Sequence, residues 1–511
     1  MFLLGLHIGL DGVCARVFSE DFECVAEARK RYTLKQPELG WAELDPYEVW
    51  AKSRQSIAAA AEEVSPGEIR ALGLSDPGVT MLPVDEKGGP LGRSIVAVDS
   101  ESPEFLENWL SNQDLAEVFR ITGQIPSGSG AAASLMWLRQ HNEEACDRAV
   151  QFLPLSAFIQ TQMGVQSSVD YSLAARSMLF DIHRKCYSEK LYESLGIAEE
   201  HFPRVVPPGH VAGTLGPGVA EKLSLPEGCV VSAGSLDLAT SILGCGGARS
   251  GMAVSSPEMG GKFAVMTEQP QVGETMLDEG VACFPHVIPD RFLSVCSVWS
   301  DTSCVDWIRH VMRNGGEEDD LSSGAADLGA VFSHAASAPT DMLAVPGSGR
   351  AGGHRDDKGF PGALVGLTLS TSRDELLRAL MEGLCYEIRL EISVLREAGV
   401  EVDEFRGDAL GMGSDIWLQL NADVFRCEVT TAPEGDAAAL GSALVAGEAA
   451  GVYECASEPA ADIAKGLRRF QTGSPDADYY DVMFDRYCAF GSAYEKWISD
   501  THLTGEEDEN Q

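Results

Sequence analysis

Four stretches of this 511-residue chain carry side chains or backbone patterns suited to chemistry. The first, "LLGLHIGLDGVCARVF" (3–18), is an apolar strand running into Ile8-Gly9, a tight glycine-bearing turn and a second strand from Val13. Turns of this shape hold phosphate, so His7, Gly9, Leu10 and Asp11 are candidate phosphate-loop positions. A neutral imidazole at His7 can bond a water or a phosphate oxygen, but it cannot replace the anionic acceptor that hydrated magnesium prefers. Leu10 has no hydroxyl to offer. The second stretch is "SSPEMGGKF", where Gly260 and Gly261 can align successive amides into a small anion nest with Lys262 beside it. Glu258 and Met259 work against phosphate there, and a solvated turn is the plainer reading. The third is "AGSLD": Asp237 directly precedes "LATSIL", where an Asp caps a helix whatever else it does. The fourth, "GLSDPGVT", turns on Pro77, Gly78 and Val79, which present no hydroxyl-binding groups.

The elements that must hold these residues read as α/β. Asp45 can cap a helix that starts at Pro46, with Glu48 at the capping-box position and Ile57, Ala60 and Ala61 on one face. "EIRALGLS" is the next buried strand, and "GCVVSAGSLDLATSILGCG" is an apolar strand turning into a small-residue helix. A second set of such units starts near residue 250. It holds a long amphipathic helix over 374–399, a strand, Gly-bearing turn and helix in "DEFRGDALGMGSDIWLQLNADVF", and a helix in "EGDAAALGSALVAGEAAG" ending at Gly451. With 44% hydrophobic residues the chain can bury two large cores, and the glycines of "GCGGARSG" (244–251) make the pliable link between them.

Charge narrows the partners. The net charge is −40, from 78 acidic and 38 basic residues, so nucleic acid and anionic membrane would be repelled. A nucleotide would need the local field reversed by a cation or by backbone amides. Thirteen cysteines without a C-x-x-C pair argue for reduced thiols in the cytoplasm rather than zinc or disulfides. "MFLLGLHIGL" lacks a basic leader and reaches Asp11 too soon for a signal peptide or a membrane span, and is expected to be a buried strand. The runs "GGEEDDL" (315–321) and "GEEDEN" read as a solvated loop and tail.

Seven segments in order and spacing resemble the FGGY family of carbohydrate kinases, particularly its xylulokinase-like members. They are "GWAELDPYEVW", "SLAARSMLFDIHRKCYSEKLYESLGI", "RVVPPGHVAGTL", "AGSLDLATSILGCG", "LRALMEGLCYEIR", "SDIWLQLNADVF" and "AAALGSALVAG". The resemblance implies a two-domain actin-like ATPase (ribonuclease H-like) fold with a cleft between the domains. It implies a sugar-side domain over 1–247, a nucleotide-side domain over 248–500 and an acidic tail over 501–511. It further implies ATP and Mg2+, a small ketose or polyol as substrate, and Asp237 as the base that takes the proton of the attacking hydroxyl. A homodimer is left open.

Several positions depart from the family pattern. Where members read like D-x-G-T, this chain has His7, Ile8, Gly9, Leu10, which leaves Asp11, one residue beyond, as the candidate magnesium carboxylate. The second phosphate turn, S-L-G-T-S-G in members, is Ser256 to Gly261 here, with Glu258 and Met259 in place of Gly and Thr. In the adenosine turn Ser414, Trp417, Gln419 and Asp423 fit, while Ala409 and Leu410 leave only Gly411 of the glycines, and Trp417 reads as core in either case. The sugar motif G-L-S-G-Q-M-H-G has become "GLSDPGVT", and Asp99 stands where an Asp follows a Trp in members. Asp170 and Ser172 match T-D-x-S and read first as an Asx turn. Two functions follow: an active sugar kinase, or a pseudokinase of the same fold that binds sugar or regulates. In both, Asp237 is expected in the cleft at a helix start, with His7 within about 10 Å of it.

Overall fold

The structure, a computed structural model, describes residues 1–38, 41–98, 104–126, 130–256, 259, 261–298, 307–308, 335–345, 361–407 and 414–501. Its chain opens with three antiparallel strands: β1 (Phe2–Ile8), β2 (Gly12–Phe18) and β3 (Cys24–Arg31). Reading the hairpin alone predicts only the first two. β3, "CVAEARKR", lies at the sheet edge with charged residues along it, so it lacks the apolar run that marks its neighbours.

Strand Ile69–Asp76 adds parallel to β1, and Val230–Leu236 and Ser168–Asp170 add parallel beyond it. The second sheet repeats this plan. Its antiparallel strands Phe292–Ser297, Lys262–Thr267 and Met252–Val254 are followed by parallel Glu404–Arg406 and Glu428–Thr430. Two sheets of like order in one α/β chain are the architecture expected of the actin-like ATPase fold.

Residue alternation along β1 decides what each face meets. Leu4, Leu6 and Ile8 point to the side covered by the helix Pro46–Glu62, where Ile57, Ala60 and Ala61 complete a buried cluster. That helix starts at Pro46, and the Asp45 carboxylate accepts from the amides of Tyr47 and Glu48 at 3.0 and 3.3 Å. Leu3, Gly5 and His7 point the other way, toward the helix Ala437–Ala449. This helix belongs by sequence to the second half of the chain, yet it lies on the first sheet. A Cβ on Gly5 would sit 1.8 Å from the Ala439 carbonyl oxygen, so nothing larger than glycine lets strand and helix touch.

Ala437–Ala449 also crosses the helix Asp237–Gly244 backbone to backbone. A Cβ on Gly441 would stand 1.8 Å from the Thr240 carbonyl oxygen. The small-residue faces read from the sequence therefore serve a close crossing of these two helices. A second core packs Trp417, Tyr386, Tyr480 and Tyr487 under the second sheet. Among the described residues no helix is long and apolar enough to cross a membrane, and the cysteines there form no disulfide.

Candidate functional site

Register brings the site together. Ser75 pairs with both His7 and Ser235, so the carboxyl ends of three parallel neighbours finish level with one another. The next residues along are Asp76 and, at the start of its helix, Asp237. Open α/β sheets bind ligands just beyond such strand ends.

Asp237 is the first residue of Asp237–Gly244, not its cap. The cap position is Leu236, which makes no side-chain hydrogen bond. The Asp237 carboxylate accepts from the next amide, Leu238, at 2.6 Å. A cap would have directed it down into the helix; here it is half-buried and keeps acceptor capacity. Burial pushes its pKa up to about 6; His7, the Leu238 amide and Lys262 pull it down, and the buried Asp76 adds to the rise.

Behind it lies a buried support. Asp170 accepts from the amides of Ser172 and Leu173 at 2.9 and 3.1 Å, and from the Ser235 hydroxyl at 2.6 Å. Ser172 Oγ in turn accepts from the Leu236 amide at 3.0 Å. Asp170 and Ser172 thus organise a turn and tie the neighbouring strand to the residues just before Asp237. Thr240 Oγ1, one helical turn past Asp237, meets Ser75 Oγ at 2.9 Å.

The first turn is differently employed from what its shape implies. His7 Nδ1 lies 2.9 Å from the Asp436 carboxylate, which caps Ala437–Ala449 by accepting from the Ala439 amide at 2.9 Å. Burial would raise the Asp436 pKa, but the His7 bond and charge, the Ala439 amide and Arg29 outweigh it and hold the carboxyl below its usual range. The Gly9 amide donates to the Gly12 carbonyl at 2.8 Å, closing the turn on itself. Leu10 is 38% exposed, and Asp11 is exposed beside it. No three His, Cys, Asp or Glu side chains among the described residues form a metal-holding group. Asp11 is the carboxylate this turn exposes, so a cation held here would take most of its ligands from phosphate and water.

At the substituted sugar motif, Asp76 is wholly buried and accepts from the amides of Gly78 and Ser156 at 2.7 and 2.5 Å. Burial raises its pKa against those bonds. Gly78 has φ +67°, and a Cβ there would lie 2.7 Å from Arg176 Cγ, so the turn requires glycine. Pro77 and Gly78 are buried and Val79 half-buried. Sequence reading did not single out Asp76 or Arg176. The signal for Asp76 was an acid closing the uncharged run Ala71–Ser75 of a buried strand.

On the facing side, Met259 is buried in the core rather than presented to the cleft, its amide bonded to Ser256 O at 3.0 Å. Gly261 has φ +70° and its carbonyl accepts from the Val298 amide at 2.7 Å. Lys262, next in the chain, is half-buried. Its ammonium is held below the usual lysine range by burial and by Arg176, with Asp237 opposing. Glu258, Gly260, Gly411 and Asp99 lie outside the described residues. Trp417 is fully buried, as core.

Comparison with known proteins agrees with this fold. Residues 2–244 match the N-terminal domain of the FGGY family of carbohydrate kinases, and residues 263–450 its C-terminal domain. The chain is 26% identical to a xylulose kinase of Bacillus subtilis (strain 168) over 494 residues, covering 95% of this chain and 96% of that one. It is 26% identical to a glycerol kinase of Halorhodospira halophila over 471 residues, covering 89% and 90%. Among solved structures, a xyloylose kinase from Brucella ovis superposes with a TM-score of 0.84 at 23% identity, covering 97% of this chain and all (100%) of that one. Plasmodium falciparum glycerol kinase with ADP superposes at 0.81 and 17% identity, covering 98% of each chain.

Proposed function

Because the chain belongs to the FGGY family of carbohydrate kinases, we propose that it moves the terminal phosphoryl group of ATP to a hydroxyl of a small ketose or polyol, with Asp237 as the general base. The observation that carries this is the Asp237 carboxylate. It stands at the level ends of three strands, spared from capping and pushed up to about 6. A base with that affinity is ionised at neutral pH yet binds a proton well enough to take one from an alcohol as it attacks phosphorus. Xylulose and glycerol kinases among the relatives support the ketose-or-polyol class.

In the step, the hydroxyl oxygen forms a bond to the γ-phosphorus, its proton passes to Asp237, and the bond from phosphorus to the β-bridging oxygen breaks to release ADP. The Asp170–Ser172–Ser235 network fixes the strand end from which Asp237 projects. The matched segments 2–244 and 263–450 support assigning the sugar side to 1–247 and the nucleotide side to 248–500. Magnesium, on this reading, arrives as the counter-ion of the nucleotide, and no step here is routed through it.

The test is ADP release in a coupled assay over a panel of ketoses and polyols, with wild type and Asp237→Asn. The proposal expects acceptor-dependent turnover that falls by about a thousandfold in the variant. Wild-type protein that binds a sugar but yields no ADP with any acceptor, and whose melting temperature ignores millimolar ATP, would instead favour a pseudokinase that binds sugar or regulates.

A further inference from the structure

Lys262 opens the strand Lys262–Thr267 of the second sheet, directly after the left-handed Gly261, and is half-buried, close enough to Asp237 for each charge to act on the other. Its backbone is fully used: the carbonyl accepts from Ser255 Oγ at 2.8 Å, and the residue pairs with Ser297 across the strands. The ammonium is not. Among the described residues it makes no hydrogen bond or ion pair; the charges that act on it are Arg176, which opposes it, and Asp237, which favours it from beyond pairing distance. A lysine in such a place normally carries its head out to water or takes a carboxylate partner, since a half-desolvated charge without one is unfavourable.

The surroundings are equally unusual for this molecule. In a chain of net charge −40, two cations, Lys262 and Arg176, both act on one carboxylate, Asp237. The first turn adds only the charge of His7, which also acts on Asp237. His7 is engaged with Asp436, Leu10 is apolar, and the Gly9 amide is spent on Gly12. Of the cations that act on Asp237, Lys262 is the one brought by the second sheet.

We propose that the Lys262 ammonium binds the anionic oxygens of the phosphoryl group in transit between the nucleotide and the hydroxyl that Asp237 deprotonates. This rests on the kinase reading above. Lys262 keeps all its protons through the step. It neutralises charge on the phosphoryl oxygens while the bond to the acceptor oxygen forms and the bond to ADP breaks, and the proton released goes to Asp237. A fixed charge set at the transferring group lowers the barrier more than it strengthens ground-state binding.

The experiment uses full-length wild type, Lys262→Met and Lys262→Arg. Binding is measured by calorimetry with magnesium AMP-PNP, magnesium ADP, D-gluconate and xylitol, alongside turnover with ATP. The expected result for Lys262→Met is about tenfold weaker AMP-PNP, ADP and xylitol unchanged within about twofold, and kcat down about a hundredfold at unchanged sugar KM. Lys262→Arg should recover most of both losses, and Lys262→Met should melt no lower than wild type, because it removes an unpartnered charge. If Lys262→Met leaves the ratio of AMP-PNP to ADP affinity and kcat as in wild type, the proposal is overturned while the kinase reading stands. Loss of D-gluconate binding with the nucleotide ratio unchanged also overturns it, assigning Lys262 to a substrate carboxylate. Failure of wild type to bind either nucleotide overturns the kinase reading and this proposal with it.

Discussion

Replacing Asp237 by Asn should stabilise the folded protein while removing its activity. The carboxyl has a pKa of about 6 when folded, against an ordinary value of 3.8. The two-unit difference corresponds to about 3 kcal/mol of unfavourable charge held in the native state at pH 8, or about 2 kcal/mol once allowance is made for the solvent that reaches it. For an acid whose affinity rises on folding, the native state binds more protons than the unfolded chain between the two pKa values. Stability therefore falls as pH climbs from about 4 through 6 and is lowest, in this respect, above that. Asn carries no such charge. Differential scanning calorimetry of the two proteins should show the variant melting about 2–4 °C higher at pH 8. The gain should fall to about half at pH 5. An Asn variant that melts lower than wild type at pH 8, or a gain that grows on acidification, would refute the reasoning and leave Asp237 as a structural residue.

Three further outcomes follow from the geometry. The acceptor-dependent kcat/KM should fall with unit slope below about pH 6, because the base must be ionised to act and burial sets that pKa; a flat profile between pH 5 and 8 would exclude Asp237 as the titrating base. His7→Ala should destabilise the protein by about 3 kcal/mol, since it leaves the buried Asp436 carboxylate without its main partner. Asp436→Asn should restore most of that loss, whereas His7→Asp alone should be worse than His7→Ala; urea unfolding of the four proteins decides. Gly441→Ala, which drives a Cβ toward the Thr240 carbonyl oxygen at 1.8 Å, should lower the melting temperature or abolish soluble expression, as judged by calorimetry and gel filtration.

The elements were legible wherever local chemistry decides them. Asp45-Pro46 marks a helix start because both the cap and the fixed φ act on neighbouring amides. The long helix was likewise readable from its periodicity. It begins at Arg373 behind a Ser372–Glu375 capping box and stops two residues before Gly399. Asp237 stands out because a strand turns into a helix beside it, but its freedom from capping depends on a single residue of register. The engagement of His7 was not readable, since its partner lies 429 residues away. That contact follows from the alternation of β1 and from a glycine at Gly5 that lets a helix from the other half of the chain lie on the strand. Lys262 was visible only as a neighbour of two glycines. That it has no partner among the described residues is a property of the packed chain, where the charges of Arg176 and Asp237 are brought to it from elements far apart in sequence.

The most direct measurement of the central claim is 31P NMR of ATP incubated with the protein and each acceptor sugar in turn, with Asp237→Asn as the control. The account predicts that the γ-phosphorus resonance of ATP is replaced by those of ADP and of a sugar phosphate monoester for at least one ketose or polyol, with no such signal in the variant. A γ-phosphorus that is found only as inorganic phosphate, or a sugar phosphate formed at equal rate by Asp237→Asn, would contradict it.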